Sequence, residues 1–452
     1  MDPHLLAAPE GKTLEFKRDL SSPEPVLRTL VAFANTAGGT LLIGVEDRTR
    51  RVRGVADPLA TERDLANLVS DHIEPRLVPE IEIVPWRRTH LVAVQVFPSP
   101  LRPHHLRRLG PERGVFVRVG STNRQADSAL IEELRRSVRP QTFDEQPIPE
   151  LNSEAVDFRA ASQQFSELRK LKRSDLRSLG VLTTHAHRLV PTVGGLLLFG
   201  RERERYFPDA WIQVARFGGT DRTRIVDHRE LRDHLAHAAE QAIEFVQRHV
   251  QAGIEINAAR HTVRSDLPLV AVREAVINAV VHADYAQRGA PIRVALFDDR
   301  LEVSNPGLLV AGLTIDDIRQ GVSKLRNRVI GRVFHAAGLI EQWGSGIQRM
   351  EQACRQTGLP MPILEEIATQ FRVTFGRQRV VEPTLADLDE RIVALLRGSP
   401  GLSTQAIAAA IKRTPRATRT RLRNLVGRGI VVELGKGPHD PRKRYLLPSS
   451  PS

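Results

Sequence analysis

The stretch Leu269-Val-Ala-Val-Arg-Glu-Ala-Val-Ile-Asn-Ala-Val-Val-His-Ala-Asp-Tyr285 decides how the middle of this chain is read. Val272, Val276 and Val280, with Ala275 and Ala279, recur at helical spacing and form one apolar stripe. Glu274 and Asn278 are one turn apart on the opposite side. A carboxylate and an amide are thus fixed together, with Asp284 and Tyr285 at the helix exit. Outward from this helix, Ile292–Phe297 and Leu301–Ser304 read as strands, and Asp298-Asp299-Arg300 between them has the composition of a hairpin turn. The second strand runs into Asn305-Pro306-Gly307. Further on, Gly344-Ser345-Gly346 follows Trp343 and opens an apolar-periodic helix. A small-residue turn before a helix exposes amide N–H groups that can bind phosphate.

In combination these pieces resemble the GHKL family of ATP-binding folds, in the divergent branch found in bacterial transcriptional regulators. Glu274-x-x-x-Asn278 is similar to the N-box, where the resemblance implies that Asn278 holds Mg²⁺ and Glu274 activates water as a general base. Asn305 and Gly307 stand in the adenine-reading position, and Gly344, Ser345 and Gly346 in the glycine box. Ser323-Lys324-Leu325-Arg326-Asn327 would form the ATP lid, with Lys324 toward the phosphates. Two positions depart from the family pattern. Asn305 replaces an Asp, and an amide accepts from an adenine amino group less strongly than a carboxylate. Leu309 replaces the second glycine of the adenine box. Both departures weaken the case for ATP turnover more than the case for ATP binding. Taken alone, Glu-x-x-x-Asn is an ordinary surface pair; three boxes in order and spacing favour the nucleotide reading.

The N-terminal 140 residues read as mixed α and β, with strands at Leu14–Lys17, Thr40–Val45, Ile81–Val84, Leu91–Phe97 and Val115–Val119. Helices are expected at Glu24–Ala34, Leu59–Ile73 and Ser128–Val138. Four segments carry a second resemblance: Glu10-x4-Glu15-Phe16-Lys17, Ala34-Asn-Thr-Ala-Gly-Gly39, Ile43-Gly-Val-Glu-Asp47 and Arg118-Val-Gly-Ser-Thr122. They are similar to the Schlafen-type AlbA-like domain. That resemblance implies a nucleic-acid-binding module, with Arg118 among its contacts. In some members it also implies a metal-dependent endoribonuclease, whose matching positions here are Glu10, Glu15, Lys17 and Asp47. Carboxylates that hold a divalent cation against a phosphate, with a lysine nearby, suit that chemistry. An exposed strand pair is the plainer reading of Glu15 and Lys17, which are two apart.

Three prolines in Pro140–Pro149 mark a linker, and Arg377–Leu385 a second one. Between them, helices are expected at Phe165–Leu179 and Arg229–Val250, a strand at Trp211–Phe217, and a glycine-flanked strand or helix at Pro191–Gly200. His234 and His237 are three apart, without the further ligands a metal site needs.

At the C-terminal end, Leu388–Leu396 reads as a helix. Ser403 and Thr404 can cap a second one through Ile411, and Thr414-Pro415 starts a third. Arg416, Arg419, Thr420 and Arg423 share one face of the third helix. Strands at Ile430–Leu434 and Arg444–Leu447 flank a Gly-Lys-Gly-Pro turn. The pattern resembles a winged helix-turn-helix. It implies Arg416, Arg419 and Arg423 at a DNA major groove, with Lys436, Arg442, Lys443 and Arg444 of the wing on phosphates.

Composition sets the outer limits. The chain has 452 residues and a net charge of +13. From Leu385 to Ser452 there are 13 Lys+Arg and 5 Asp+Glu, so +8 of that charge lies in the last 68 residues and points to a polyanionic partner. Cys354 is the sole cysteine, which excludes an internal disulfide and a cysteine-based zinc site and fits a reducing cytoplasm. No apolar run reaches the roughly 18 residues that span a bilayer, and the first residues lack the pattern of a signal peptide.

The resulting expectation is an α+β multidomain protein. An AlbA-like α/β domain would occupy residues 1–140, a scaffold segment plus a GHKL α/β sandwich 150–378, and a winged helix-turn-helix 385–448. It would bind ATP and Mg²⁺, contact DNA (with RNA as the alternative), form a homo-oligomer and act as a transcriptional regulator whose DNA grip responds to nucleotide. A Schlafen-like endoribonuclease governed by the ATP module is the competing reading, and whether ATP is hydrolysed stays open.

Overall fold

The computed structural model describes residues 3–6, 8–47, 49–166, 168–257, 267–340, 344–377, 387–397, 399, 401–434 and 443–448. The chain divides into two compact units, Met1–Arg379 and Val380–Ser452.

The first unit begins with β1 (Leu14–Lys17), α1 (Pro23–Asn35), β2 (Gly39–Ile43), α2 (Pro58–His72), β3 (Glu80–Trp86) and β4 (Thr89–Val96). Their sheet has the order β1-β2-β4-β3, with β1 and β2 parallel and the other pairs antiparallel. A proline in the first turn of α1 suits the fixed φ of a helix start. Val26, Leu30, Val31 and Phe33 of α1 are buried with Leu41, Ile43, Val92 and Val94 of the strands. Asn35 ends α1 fully buried. Its side-chain amide donates to His104 O and Phe116 O and accepts from His104 N, fastening the helix to the following hairpin β5 (Phe116–Val119) and β6 (Thr122–Gln125). α3 (Ser128–Ser137) closes this region, capped by Asp127.

The rest of the unit contains α4 (Val193–Phe199), β7 (Ile212–Phe217), β8 (Ile225–Leu231), α5 (Leu235–Asn257), α6 (Leu269–His282), β9 (Ile292–Leu296), β10 (Arg300–Pro306), α7 (Arg328–Ala336), α8 (Gly346–Thr357), β11 (Ile363–Ile367) and β12 (Gln370–Gly376). A six-stranded sheet runs β8-β7-β9-β10-β12-β11, antiparallel except where β7 meets β9. α6 lies in the core of this layer: Ala271, Val272, Ala275, Val276, Ile277, Ala279, Val280 and Val281 are all buried. That is wider than a single stripe, because α5, α8 and β10 all pack on it.

Several expectations shift. Residues 165–179 do not form one helix: within them only Asp175–Ser178 makes a helical turn, and a helix at Phe158–Gln164 precedes them, capped by Asp157, which accepts from Arg159 N and Ala160 N. The expected helix from Arg229 begins only at Leu235, since Ile225–Leu231 pairs with β7 as an edge strand whose exposed side chains are mostly polar. Pro191–Gly200 resolves to helix, capped by Thr192. Pro140–Pro149 is no free linker. Asp144 is fully buried and accepts from Arg328 N, Val329 N and Ile330 N, which caps the N-terminus of α7.

The second unit holds α9 (Asp387–Leu396), α10 (Thr404–Ala410), α11 (Pro415–Gly427) and the hairpin β13 (Val432–Leu434) and β14 (Arg444–Leu446). Ser403 and Thr414 cap α10 and α11 as expected. Ile392, Leu396, Ile407, Ile411, Leu422, Leu425, Val431 and Tyr445 make its core.

Candidate nucleotide site and nucleic-acid surfaces

Glu274 and Asn278 on α6 line a cavity that opens to solvent. Asn305 at the end of β10, Lys324 in the following segment, and Gly344 and Gly346 before and in α8 line the same space. Six residues named from the sequence thus meet around one cavity. Val303, Leu308, Met350, Phe371 and Val373 give it an apolar wall. A mostly apolar cavity with a few convergent polar groups is the usual form of a small-molecule site.

The glycines are explained by close approach. A Cβ on Gly346 would lie 2.8 Å from Glu274 Oε2 and 3.2 Å from Asn278 Nδ2. A Cβ on Gly344, where φ is +66°, would lie 2.4 Å from Gly321 O. The glycine box therefore seats against α6 on one side and the lid segment on the other. Gly307 has φ +96°, and a Cβ there would meet the Arg326 guanidinium and Asp284 at 3.1 Å. Ser345 takes the N-cap position of α8.

Asn305 is 5% exposed and its Nδ2 donates to Pro306 O at 3.0 Å. That commitment leaves the carbonyl oxygen as the atom an adenine amino group would meet. Leu309, where the pattern has glycine, donates its N–H to Glu366. Lys324 reaches Ala311 O at 3.4 Å; burial, then Arg102 and Arg328, lower its pKa from the ordinary lysine value. Asn327 fixes the end of the lid by donating to Val281 O and Ala283 O at the last turn of α6.

The place expected for a magnesium ion, beside Asn278, has Glu274 next to it already engaged by protein. Such an ion keeps several waters in an octahedron at roughly 2.0–2.1 Å. Gly346 packs on the same two side chains, and Arg349 Nη2 lies 2.8 Å from Glu274 Oε1. The carboxylate expected to act as a general base is thus engaged by a guanidinium.

Sequence reasoning places Arg326 in the lid segment but gives it no role of its own. It lines the cavity, and its side chain pairs with Glu133 of α3 and donates to Leu308 O. Burial raises the Glu133 pKa, with Arg326 opposing and Asp284 adding to the rise. Arg136 of α3 meets Asp284 at 3.0 Å, Lys12 pairs with Glu366, and Gly312 N donates to Thr36 O. The adenine-box loop is therefore bound to the N-terminal sheet region. His282 also lines the cavity; burial and then Arg326 push its pKa down to about 4.

The N-terminal acidic set is close but already neutralised. Lys17 Nζ lies 2.6 Å from Glu15 and 3.1 Å from Asp47. Burial alone would lower the Lys17 pKa, and the bonds to Glu15 and Asp47 outweigh it and hold it above the ordinary value. Glu10 accepts from Phe16 N at 2.9 Å. Arg118, expected on nucleic acid, is 1% exposed: its guanidinium pairs with Glu15, donates to Asn123 and Gly11 O, and sits over the Phe33 ring. It is placed as a core ion-pair partner and not as a surface contact. Among the described residues, no group of three or more His, Cys, Asp or Glu is disposed to hold a metal ion.

On α11, Arg416, Arg419 and Arg423 are exposed on one side, and Leu422 and Leu425 are buried on the other. Arg421, off that face, pairs with Asp389 at 2.8 Å. In the hairpin, Lys443 pairs with Glu433 at 2.6 Å and Arg444 donates to Gly401 O. Lys436 and Arg442 lie outside the described residues.

Three family models match in order along the chain. "Schlafen, AlbA_2" covers residues 10–127, "Putative ATP-dependent DNA helicase recG C-terminal" covers 289–375, and "Winged helix-turn-helix DNA-binding" covers 385–432. The chain thus carries, in this order, segments similar to an AlbA_2 domain, a RecG C-terminal ATPase-like domain and a winged helix-turn-helix. The ATPase-fold match begins after α6, so Glu274 and Asn278 stand outside the matched residues. The AlbA_2 match takes in Glu10, Glu15, Lys17, Asp47 and Arg118, and the winged-helix match takes in α11. No curated protein matches the chain. Among solved structures, the DIP2311 protein of Corynebacterium diphtheriae is similar at 19% identity over 98% of both chains, with a TM-score of 0.44. The N-terminal domain of a RecG-related protein from Nitrosomonas europaea is 28% identical over 27% of this chain and 90% of its own, with a TM-score of 0.23. No helix among the described residues is long and apolar enough to cross a membrane.

Proposed function

We propose that this protein is a nucleotide-binding, DNA-binding transcriptional regulator in which occupancy of the ATPase-fold cavity changes the grip on DNA. The observation that carries the proposal is the convergence of Glu274, Asn278, Asn305, Lys324, Gly344 and Gly346 on one cavity. Its functional domains are residues 1–140, 150–378 and 385–448. Adenine would sit against the apolar wall with its amino group toward Asn305, and the phosphates would extend toward Lys324 and the N-terminus of α8. α11 would enter the major groove with Arg416, Arg419 and Arg423, and Lys443 and Arg444, with Lys436 and Arg442, would follow the backbone.

The coupling runs first to the N-terminal domain. Ligand that orders the 305–313 loop acts directly on Arg326–Glu133, Arg136–Asp284 and Lys12–Glu366. A ligand shifts such an equilibrium only by its differential affinity for the two states. Fluorescence anisotropy of duplex DNA, with and without saturating ATP or ADP, tests this. A change in DNA affinity of about fivefold or more is expected; identical affinities in all three conditions would remove the regulatory link.

The endoribonuclease reading has one supporting observation, the contact of Lys17 with both Glu15 and Asp47. It is weaker because Arg118 and Lys17 already hold the Glu15 carboxylate. Incubation of the full chain with RNA and Mn²⁺ should give no cleavage that Glu15→Ala removes.

A further inference from the structure

The contact between Glu274 and Arg349 deepens the nucleotide reading, on which it rests. Arg349 is three residues after Gly346 on α8, so both occupy the same side of the helix. Gly346 lets the helix come down onto α6 without a side chain in between, and Arg349 then reaches Glu274 Oε1 at 2.8 Å. The glycine and the arginine work together, one by its smallness and the other by its reach. The Glu274 side chain is 13% exposed and that of Arg349 is 32% exposed, so the pair sits at the cavity wall and not in bulk water.

A guanidinium keeps its charge at all working pH and presents several N–H donors in a plane. One part of that fork can stay on a carboxylate while another meets a phosphate oxygen, and Arg–phosphate pairs are among the stronger charge-assisted hydrogen bonds. Arg349, Lys324 and Arg326 all line the cavity that Glu274 lines. Arg326 is balanced by Glu133 and Arg349 by Glu274, and Lys324 leaves the group with a net positive charge, which suits a phosphate.

We propose that Arg349, oriented by Glu274, provides the positive charge that the expected magnesium ion would bring, so that the phosphates of an adenine nucleotide are held here without a divalent metal. Glu274 is then a positioning residue for Arg349 and not a general base.

Calorimetric titration of the full chain with ADP and with ATP, in magnesium buffer and in EDTA, tests the proposal. The dissociation constants should differ by less than about threefold between the two buffers. Arg349→Met should weaken binding by about tenfold or more in both, and Arg349→Lys should recover part of the loss. A thermal melt checks that the variants fold; if Arg349→Met does not, the two-buffer comparison on the wild type decides. Binding that disappears on chelation overturns metal-free recognition and leaves the nucleotide reading intact. Binding unaltered in Arg349→Met overturns the role of the arginine. No binding in either buffer overturns both this inference and the nucleotide reading beneath it.

Discussion

Arg326 is the residue whose removal should be felt furthest. Its side chain is 13% exposed where the adenine-box loop meets α3, paired with Glu133. Losing one partner of a buried ion pair leaves an uncompensated charge and costs roughly 3–5 kcal/mol, whereas an apolar pair of similar volume is often neutral. Arg326→Ala should therefore lower the unfolding free energy in urea by that order, and the double variant Arg326→Met with Glu133→Leu should recover most of it. Equal destabilisation in single and double variants would mean that the pair contributes by packing alone. His282 makes a second prediction at this scale. Its folded pKa is pushed down to about 4, below the ordinary histidine value of 6.5. Between those values the unfolded chain binds the proton and the folded chain does not. Stability is thus full above about pH 6.5 and falls as the pH drops toward 4, by roughly 2–3 kcal/mol. Denaturation midpoints of wild type and His282→Gln across that range check it; parallel curves would contradict the assignment.

At the scale of the element, the seating of α8 on α6 is what makes the cavity. Gly346→Ala places a methyl group 2.8 Å from Glu274 Oε2 and 3.2 Å from Asn278 Nδ2, closer than ordinary contact, so both side-chain ends must move away from their places at the cavity wall. The variant should fold with a lowered melting temperature and bind nucleotide at least about tenfold more weakly. Unchanged binding would show that the two helices do not jointly frame the ligand. Much at this scale is legible in the sequence. Leu14–Lys17 is a strand with the bounds expected, and α6, the β9–β10 hairpin and the capped helices α10 and α11 fall within a residue or two of their expected positions, because their periodicity and caps are local signals. Ile225–Leu231 reads as the approach to a helix because an edge strand with exposed polar side chains has no clean apolar alternation. β11 and β12 escape a reading of the sequence, since their amphipathic pattern gains meaning only from pairing with β10. Gly344 and Gly346 can be named from spacing. Arg326 is named only as part of the lid and Arg349 not at all; in a chain with 66 Lys+Arg, only the fold shows which arginines meet carboxylates.

For the molecule as a whole, inward use reduces the number of arginines at the surface but not the basic excess. Arg118, Arg326 and Arg349 pair with Glu15, Glu133 and Glu274, charge-cancelling pairs that leave the net charge of +13 on other side chains. The exposed residues Arg416, Arg419 and Arg423 remain as a coherent face on α11. Arg419→Glu with Arg423→Glu should weaken duplex binding and reduce the slope of log affinity against log salt by about 0.9 for each phosphate that is no longer neutralised. An unchanged slope would assign α11 to another partner. The function proposed for this protein depends on the cavity between α6, β10 and α8 taking an adenine nucleotide. The most direct measurement is a calorimetric titration of the full chain with ATP, wild type against Asn278→Ala. Saturable one-site binding in the wild type, weakened about tenfold or more by the substitution, is the predicted result; no saturable binding, or equal affinity in the two proteins, would contradict it.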